Sequence, residues 1–249
     1  MKENEMIFGT RSVIEAIQAG KEVDKILMRK DLQNDLAREL FNIIKGTTIP
    51  LQRVPQEKLD RLTRKNHQGV IAFISAVTYQ RIEDVIPLLY EEGKTPFIVL
   101  LDGVTDVRNF GAIARSCECA GVDAIVIPSR NSVSVNADAV KTSAGALMTI
   151  PVCKEPNINE VIRFLKNSGV KVVAATEKAG NDYTKVDYTV PVAIVMGGED
   201  MGVSADNLRI CDEMVRIPVL GNIASLNVSA AATVMMYEVV RQRGENCEL

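Results

Sequence analysis

Residues 97–101, Phe-Ile-Val-Leu-Leu, narrow most what this chain can fold into. Five apolar residues in a row, between Pro96 and Asp102-Gly103, read as a strand buried on both faces. That is the signature of a parallel sheet covered by helices. Similar short apolar runs recur at 124–127, 150–152, 170–175, 193–196 and 214–217, and helices are expected between them at 110–120, 136–141, 159–167 and 204–210. Residues 6–75 have a shorter rhythm. A strand or the start of a helix is expected at 6–9, then a helix over 11–19 capped by Thr10, a strand over 23–29 and a helix over 31–44. A strand over 49–54, a helix over 55–65 and a strand over 70–75 follow, which predicts a small α/β layer fold. The expected organisation is therefore 1–75, a linker over 76–96 and a second domain over 97–249.

The C-terminal stretch adds a second constraint. A strand end at 215–217 leads into a polar, glycine-containing loop, 218–225, and then a helix over 226–243 for which Ser225 is the expected cap. No charge occurs from Leu226 to Tyr237, and Ala230, Ala231 and Ala232 keep one face thin. Such a helix is buried against something broad. It is either a core helix or one whose N-terminal loop holds a ligand with backbone groups.

Charge and cysteine use exclude some classes. Residues 1–80 carry 13 Lys and Arg against 10 Asp and Glu, while the remainder carries 16 against 22. The balance is either scatter or a first part that meets a polyanion. The charged start Met1-Lys-Glu-Asn-Glu is not that of a secretory leader, and no apolar run approaches the roughly 18 residues of a membrane helix. The five cysteines have no zinc spacing, so a reduced, cytoplasmic protein without a metal is expected.

Open α/β sheets bind ligands beyond the carboxyl ends of their strands, so the loops after the strands carry the chemistry. In the loop 102–109 and the helix behind it, Asn109 is either a cap or a ligand group, and Arg115 is either a surface residue or a phosphate anchor. They are six residues apart and so not on one helix face. The loop 197–204 has glycines at 197 and 202 and Ser204 but Val203 where a phosphate loop has lysine. Without that cation, and with Glu199 and Asp200 present, a terminal phosphate is repelled. This argues against a nucleotide hydrolase and suits a neutral or cationic ligand such as a sulfonium. No Gly-x-Gly-x-x-Gly follows a strand.

Taken in order, Asn109, Gly111 and Arg115, then Gly197, Glu199 and Gly202, then Ser225-Leu-Asn-Val-Ser229 resemble the three motifs of the SpoU family of SPOUT-class, TrmH-like RNA methyltransferases. The resemblance covers about 97–243. Residues 8–17 and 66–72 are similar to the two ends of the small RNA-binding domain that many members carry. Residues 102–106 and 239–243 look like the subgroup that methylates a guanosine ribose in 23S rRNA; a tRNA enzyme, or a silent RNA-binding member, is the alternative. The family has proline where this chain has Val107, which is expected to loosen the loop.

The resemblance implies an α/β SPOUT fold with a C-terminal trefoil knot, a homodimer with RNA as partner, and no DNA or membrane partner. It implies methyl transfer from S-adenosylmethionine to a ribose 2′-hydroxyl. Arg115, Asn109, Glu199, Ser225 and Asn227 would be catalytic. Met196, Gly197, Gly198, Gly202, Ile217, Leu220 and Leu226 would hold the cofactor. His67, the sole histidine, reads as a residue of the domain joint.

Overall fold

The expected apolar runs become strands in the computed structural model, which describes residues 6–244, except that the run at 150–152 contributes only Val152 to a strand that extends to Glu155. The chain divides into two units, residues 6–78 with 134–137, and residues 79–133 with 138–244.

The first unit runs β1 (Met6–Phe8), α1 (Thr10–Gln18), β2 (Val23–Arg29), α2 (Asp35–Ile44), β3 (Leu51–Val54), α3 (Gln56–Leu62), β4 (Val70–Ile74). The strands lie in the order β1-β4-β2-β3, with β4 antiparallel to both neighbours. Alternate residues face alternate sides. Val23, Ile26, Met28, Val70 and Ala72 meet α1 and α2, while Met6, Leu27, Ile71 and Phe73 meet Leu59 of α3. The helix starts differ from expectation for physical reasons. Thr10 is buried and caps nothing; Gly9, at φ 85°, precedes α1. Helix α2 begins at Asp35 because the Asn34 side chain accepts from Ala37 N at 2.8 Å. His67 lies inside this unit, not at a joint. Its Nδ1 accepts from Gly69 N at 3.0 Å, so Nε2 carries the proton toward Asp60 Oδ1 at 2.9 Å. It is only 5% exposed and holds the turn from α3 to β4, where Gln68 takes φ 49°.

The second unit begins with β5 (Tyr79–Gln80) and α4 (Ile82–Glu91), followed by β6 (Phe97–Asp102), α5 (Val107–Cys119), β7 (Ala124–Pro128), α6 (Ala137–Thr142) and β8 (Val152–Glu155). It continues with α7 (Ile158–Asn167), β9 (Lys171–Ala175), β10 (Asn181–Asp182), β11 (Val192–Gly197), α8 (Ala205–Ile210), β12 (Glu213–Arg216) and α9 (Val228–Arg243). Eight parallel strands lie in the order β10-β12-β9-β11-β6-β7-β8-β5. One face buries Ile98, Leu100, Val126, Val172 and Val195 with Ile82 and Ile86 of α4 and Ile162 and Leu165 of α7. On α5 and α9, which pack together, Phe110, Ile113, Met235 and Val239 are fully buried.

The expected linker is therefore mostly part of this unit. Strand β5 pairs with β8, and Glu155 ties down the start of α4 by accepting from Ile82 N at 2.9 Å and from Arg81 Nε at 3.1 Å. Because β7 and β8 extend to one side of β6 while β9 lies beyond β11, the chain direction reverses around the β6–β11 pair. A crevice at the carboxyl ends of the strands is expected at such a reversal.

Candidate active site

Asp102 and Gly197 end β6 and β11 side by side, as register partners. The apolar run stops at Asp102, and its carboxylate organises the loop that leaves β11. Oδ2 accepts from Ser204 N at 2.8 Å and from Asn207 Nδ2 at 2.7 Å, while Asp102 O accepts from Gly198 N at 2.8 Å. The loop 197–204 folds back on itself through Gly202 N donating to Gly198 O at 2.8 Å. A Cβ on Gly197 would lie 2.0 Å from the backbone of Gly202, and one on Gly198 would lie 2.3 Å from Gly103 O. These glycines are required by close backbone approach. Neither Asp102 nor Asn207 stands out in the sequence; the signal for Asp102 is a lone acid closing an apolar strand.

Helix α5 starts earlier than expected. Asp106 caps it, accepting from Arg108 N at 2.8 Å and Asn109 N at 2.9 Å. Asn109 is thus in the first turn with its side chain released for other partners. Val107 is the first helical residue, where proline would have been accommodated without losing a bond. The Asp106 cap fixes the turn instead.

Helix α9 begins at Val228, and its cap is Asn227, not Ser225. Asn227 Oδ1 accepts from Ser229 N at 2.9 Å and Ser229 Oγ at 2.6 Å. A backbone N–H only donates, so the amide orientation is fixed and Nδ2 must face the other way. There it donates to Asn109 Oδ1 and Glu199 Oε1, each at 3.1 Å. Asn109 Nδ2 donates to the same Glu199 Oε1. Three residues from three separate segments, the first turn of α5, the loop after β11 and the start of α9, therefore close one ring of hydrogen bonds. Glu199 Oε2 has no partner among the described residues and is the open acceptor of the ring.

The Arg115 side chain is exposed and makes no hydrogen bond or ion pair among the described residues. It stands on the α5 surface next to Ser116, whose Oγ is 2.8 Å from Thr233 Oγ1 of α9. Ser225 is exposed and joins no hydrogen bond among the described residues, but it lines a pocket of about 230 Å³ with Met196, Gly197, Gly198, Gly202, Ile217 and Leu226. Leu220 is not part of that lining and is fully exposed. The main chain of residues 217–226 makes no hydrogen bond among the described residues. The loop also exposes Val219, Ile223 and Leu226. Free amides and carbonyls beside uncovered apolar side chains fit a flat heteroaromatic group with polar edges. Residues missed in the sequence reading also line this pocket, among them Thr176, Lys178 and Val228.

Comparison with known proteins identifies the family. Residues 96–237 match the model of the SpoU rRNA methylase family, and residues 6–80 match that of the RNA 2′-O ribose methyltransferase substrate-binding domain. A Staphylococcus saprophyticus protein named for the TrmH family of tRNA/rRNA methyltransferases is 35% identical over 241 residues, 97% of each chain. A Bacillus subtilis protein with the same family name, YacO, is 32% identical over 242 residues, again 97% of each. Among solved structures, the SpoU methyltransferase AviRb from Streptomyces viridochromogenes in complex with AdoMet aligns with a TM-score of 0.60 and 26% identity, covering 96% of this chain and 89% of that one. The AdoMet-bound rRNA methyltransferase from Sinorhizobium meliloti aligns at 0.60 and 25%, covering 95% and 86%. With more than half its length matched by the family model, and with relatives above 30% identity along nearly all of it, the chain belongs to the SpoU rRNA methylase family.

Proposed function

We propose that this protein transfers a methyl group from S-adenosylmethionine to a ribose 2′-hydroxyl of RNA. The observation that carries the reading is the ring formed by Asn109, Glu199 and Asn227, which sets one open carboxylate oxygen at the edge of the 230 Å³ pocket. Backbone of 197–202 and of the 217–226 loop would hold the cofactor, with Met196, Ile217 and Leu226 against its adenine. The cofactor supplies an electrophilic methyl on a sulfonium, so no metal is called for.

The remaining work falls on the chain's own groups. Glu199 Oε2 accepts the hydrogen bond of the ribose hydroxyl and takes its proton as the oxygen attacks. Asn227 does not do this, since both lone-pair directions of its Oδ1 are used by Ser229. Its Nδ2 and that of Asn109 hold Glu199 in place. Arg115 has no acceptor and stays protonated. Its part is to hold the adjacent phosphate and stabilise the alkoxide, and its lack of a partner among the described residues leaves it available. A homodimer, with Arg115 reaching a site shared by two copies, and the trefoil knot around loops 197–204 and 217–226 complete the proposal. So do a cytoplasmic location and a guanosine of 23S rRNA as target, the last on the resemblance of 102–106 and 239–243.

The test is to map ribose methylation in rRNA and tRNA from cells with and without the protein. A single 2′-O-methyl mark lost from rRNA and restored by the purified protein is expected. An unchanged map of both RNAs rejects the reading.

A further inference from the structure

The Asn109–Glu199–Asn227 ring is bordered by two cavities. Beside the 230 Å³ pocket, a trough of about 790 Å³ opens over the carboxyl ends of β6, β7, β8 and β11. Gly198 to Gly202, Lys178 and Val228 line both. A ribose resting on Glu199 Oε2 with the cofactor in the smaller pocket has the trough left for its base and phosphates.

Resting on the function proposed above, we infer that the trough seats the target nucleotide, with Arg130 and Lys178 holding the phosphates that flank it. Three observations carry this. Arg130 and Lys178 are the two cations among the lining residues; both are exposed, and neither side chain has an ion pair or hydrogen bond among the described residues. The lining also holds Asp102, Asp106, Glu199 and Asp200, of which the first three already accept hydrogen bonds from the protein. Four carboxylates against two cations repel phosphate from the interior and admit a neutral base, leaving the phosphates to the cations. The loop bearing Arg130 is also held in shape. Ser129 N donates to Glu155 O at 2.8 Å, and Asn131, a non-glycine residue, takes φ 50°. Asparagine is among the few residues that take this conformation, and such strain is retained where the surrounding structure requires it.

The experiment uses the full-length protein and an unmodified large-subunit rRNA transcript. Arg130→Ala, Lys178→Ala and the double variant are compared with the parent for RNA affinity, methyl transfer and S-adenosylmethionine affinity over a range of monovalent salt. Each single change is expected to weaken RNA binding and raise KM for RNA roughly tenfold, since a charged hydrogen bond is lost. The slope of log affinity against log salt should fall by about 0.7–0.9 per cation removed. Cofactor affinity and kcat at saturating RNA should be unchanged in Arg130→Ala, which lies outside the cofactor pocket, and Arg130→Lys should restore the slope. RNA affinity and slope equal to the parent's overturn the inference, as does a defect in Lys178→Ala wholly accounted for by lost cofactor affinity. A parent that binds RNA but transfers no methyl sinks the functional reading alone, and the binding measurements still decide the role of the trough.

Discussion

At the scale of the residue, Asn227 has two separable duties. It caps α9 through Oδ1 and braces Glu199 through Nδ2. Asn227→Ala should lose about 1 kcal/mol of stability with the cap, together with methyl transfer. Asn227→Ser keeps a cap of similar strength and loses only the brace. It should melt near the parent temperature and bind cofactor while turning over at least about tenfold more slowly, a barrier increase of about 1.4 kcal/mol. Parental turnover in folded Asn227→Ser would remove the residue from the mechanism. Arg115→Lys touches an exposed side chain, so stability should move by less than about 0.5 kcal/mol, yet the planar fork is gone and most activity should go with it. Activity within about threefold of the parent, roughly 0.65 kcal/mol, would show that Arg115 is not the essential cation. The sequence made Asn109, Glu199 and Asn227 legible as members of three motifs. It did not show that Asn227 is the cap or that its carbonyl is spent on Ser229, because a cap is decided by backbone angles that several neighbouring polar residues could satisfy.

At the scale of the element, the loop 197–204 is a backbone device. Gly197→Ala forces a methyl to within 2.0 Å of Gly202 and Val203 main chain, which cannot swing aside as a side chain would. It should cost about 1–3 kcal/mol and abolish cofactor binding. Gly221→Ala, with nothing within 4 Å, should leave both near parental values. Thermal melts and a cofactor titration on the two variants check this, and equal behaviour would mean the loop is not the rigid platform described. The far end of α9 is clamped as well. Arg243 donates to Tyr188 O at 3.0 Å, Thr95 O at 2.9 Å, Pro96 O at 3.1 Å and Val190 O at 2.6 Å. Arg243→Ala should lower stability by about 1.5–3 kcal/mol in denaturant unfolding, whereas a change under about 0.5 kcal/mol would make the clamp ornamental. Strands were readable because their apolar runs are continuous. Helix starts were less so: α2, α5 and α9 start where Asn34, Asp106 and Asn227 happen to reach a free N–H.

At the scale of the whole molecule, the two-unit organisation was legible from the change of rhythm and charge, while the boundary was not. Helix α4 read as part of a linker because it leads into the charged turn 91–96. It belongs to the second unit through long-range packing of Ile82 and Ile86 and through Glu155, contacts no local pattern encodes. A fragment starting at Tyr79 should therefore fold and bind cofactor but bind RNA weakly, whereas one starting at Glu92 loses α4 and should be much less stable. Equal RNA affinity of the Tyr79 fragment and the full chain would contradict an RNA-binding role for the first unit. The central claim, methyl transfer to a ribose hydroxyl at the Glu199 ring, has a direct test. Unmodified rRNA is incubated with the purified protein and isotopically labelled S-adenosylmethionine, then digested to nucleosides and resolved by mass spectrometry. The account predicts label on the ribose of one nucleoside, accumulating at least about tenfold more slowly with Asn227→Ser and largely lost with Arg115→Lys. Label on a base, or label on the ribose that persists at parental level in both variants, would contradict it.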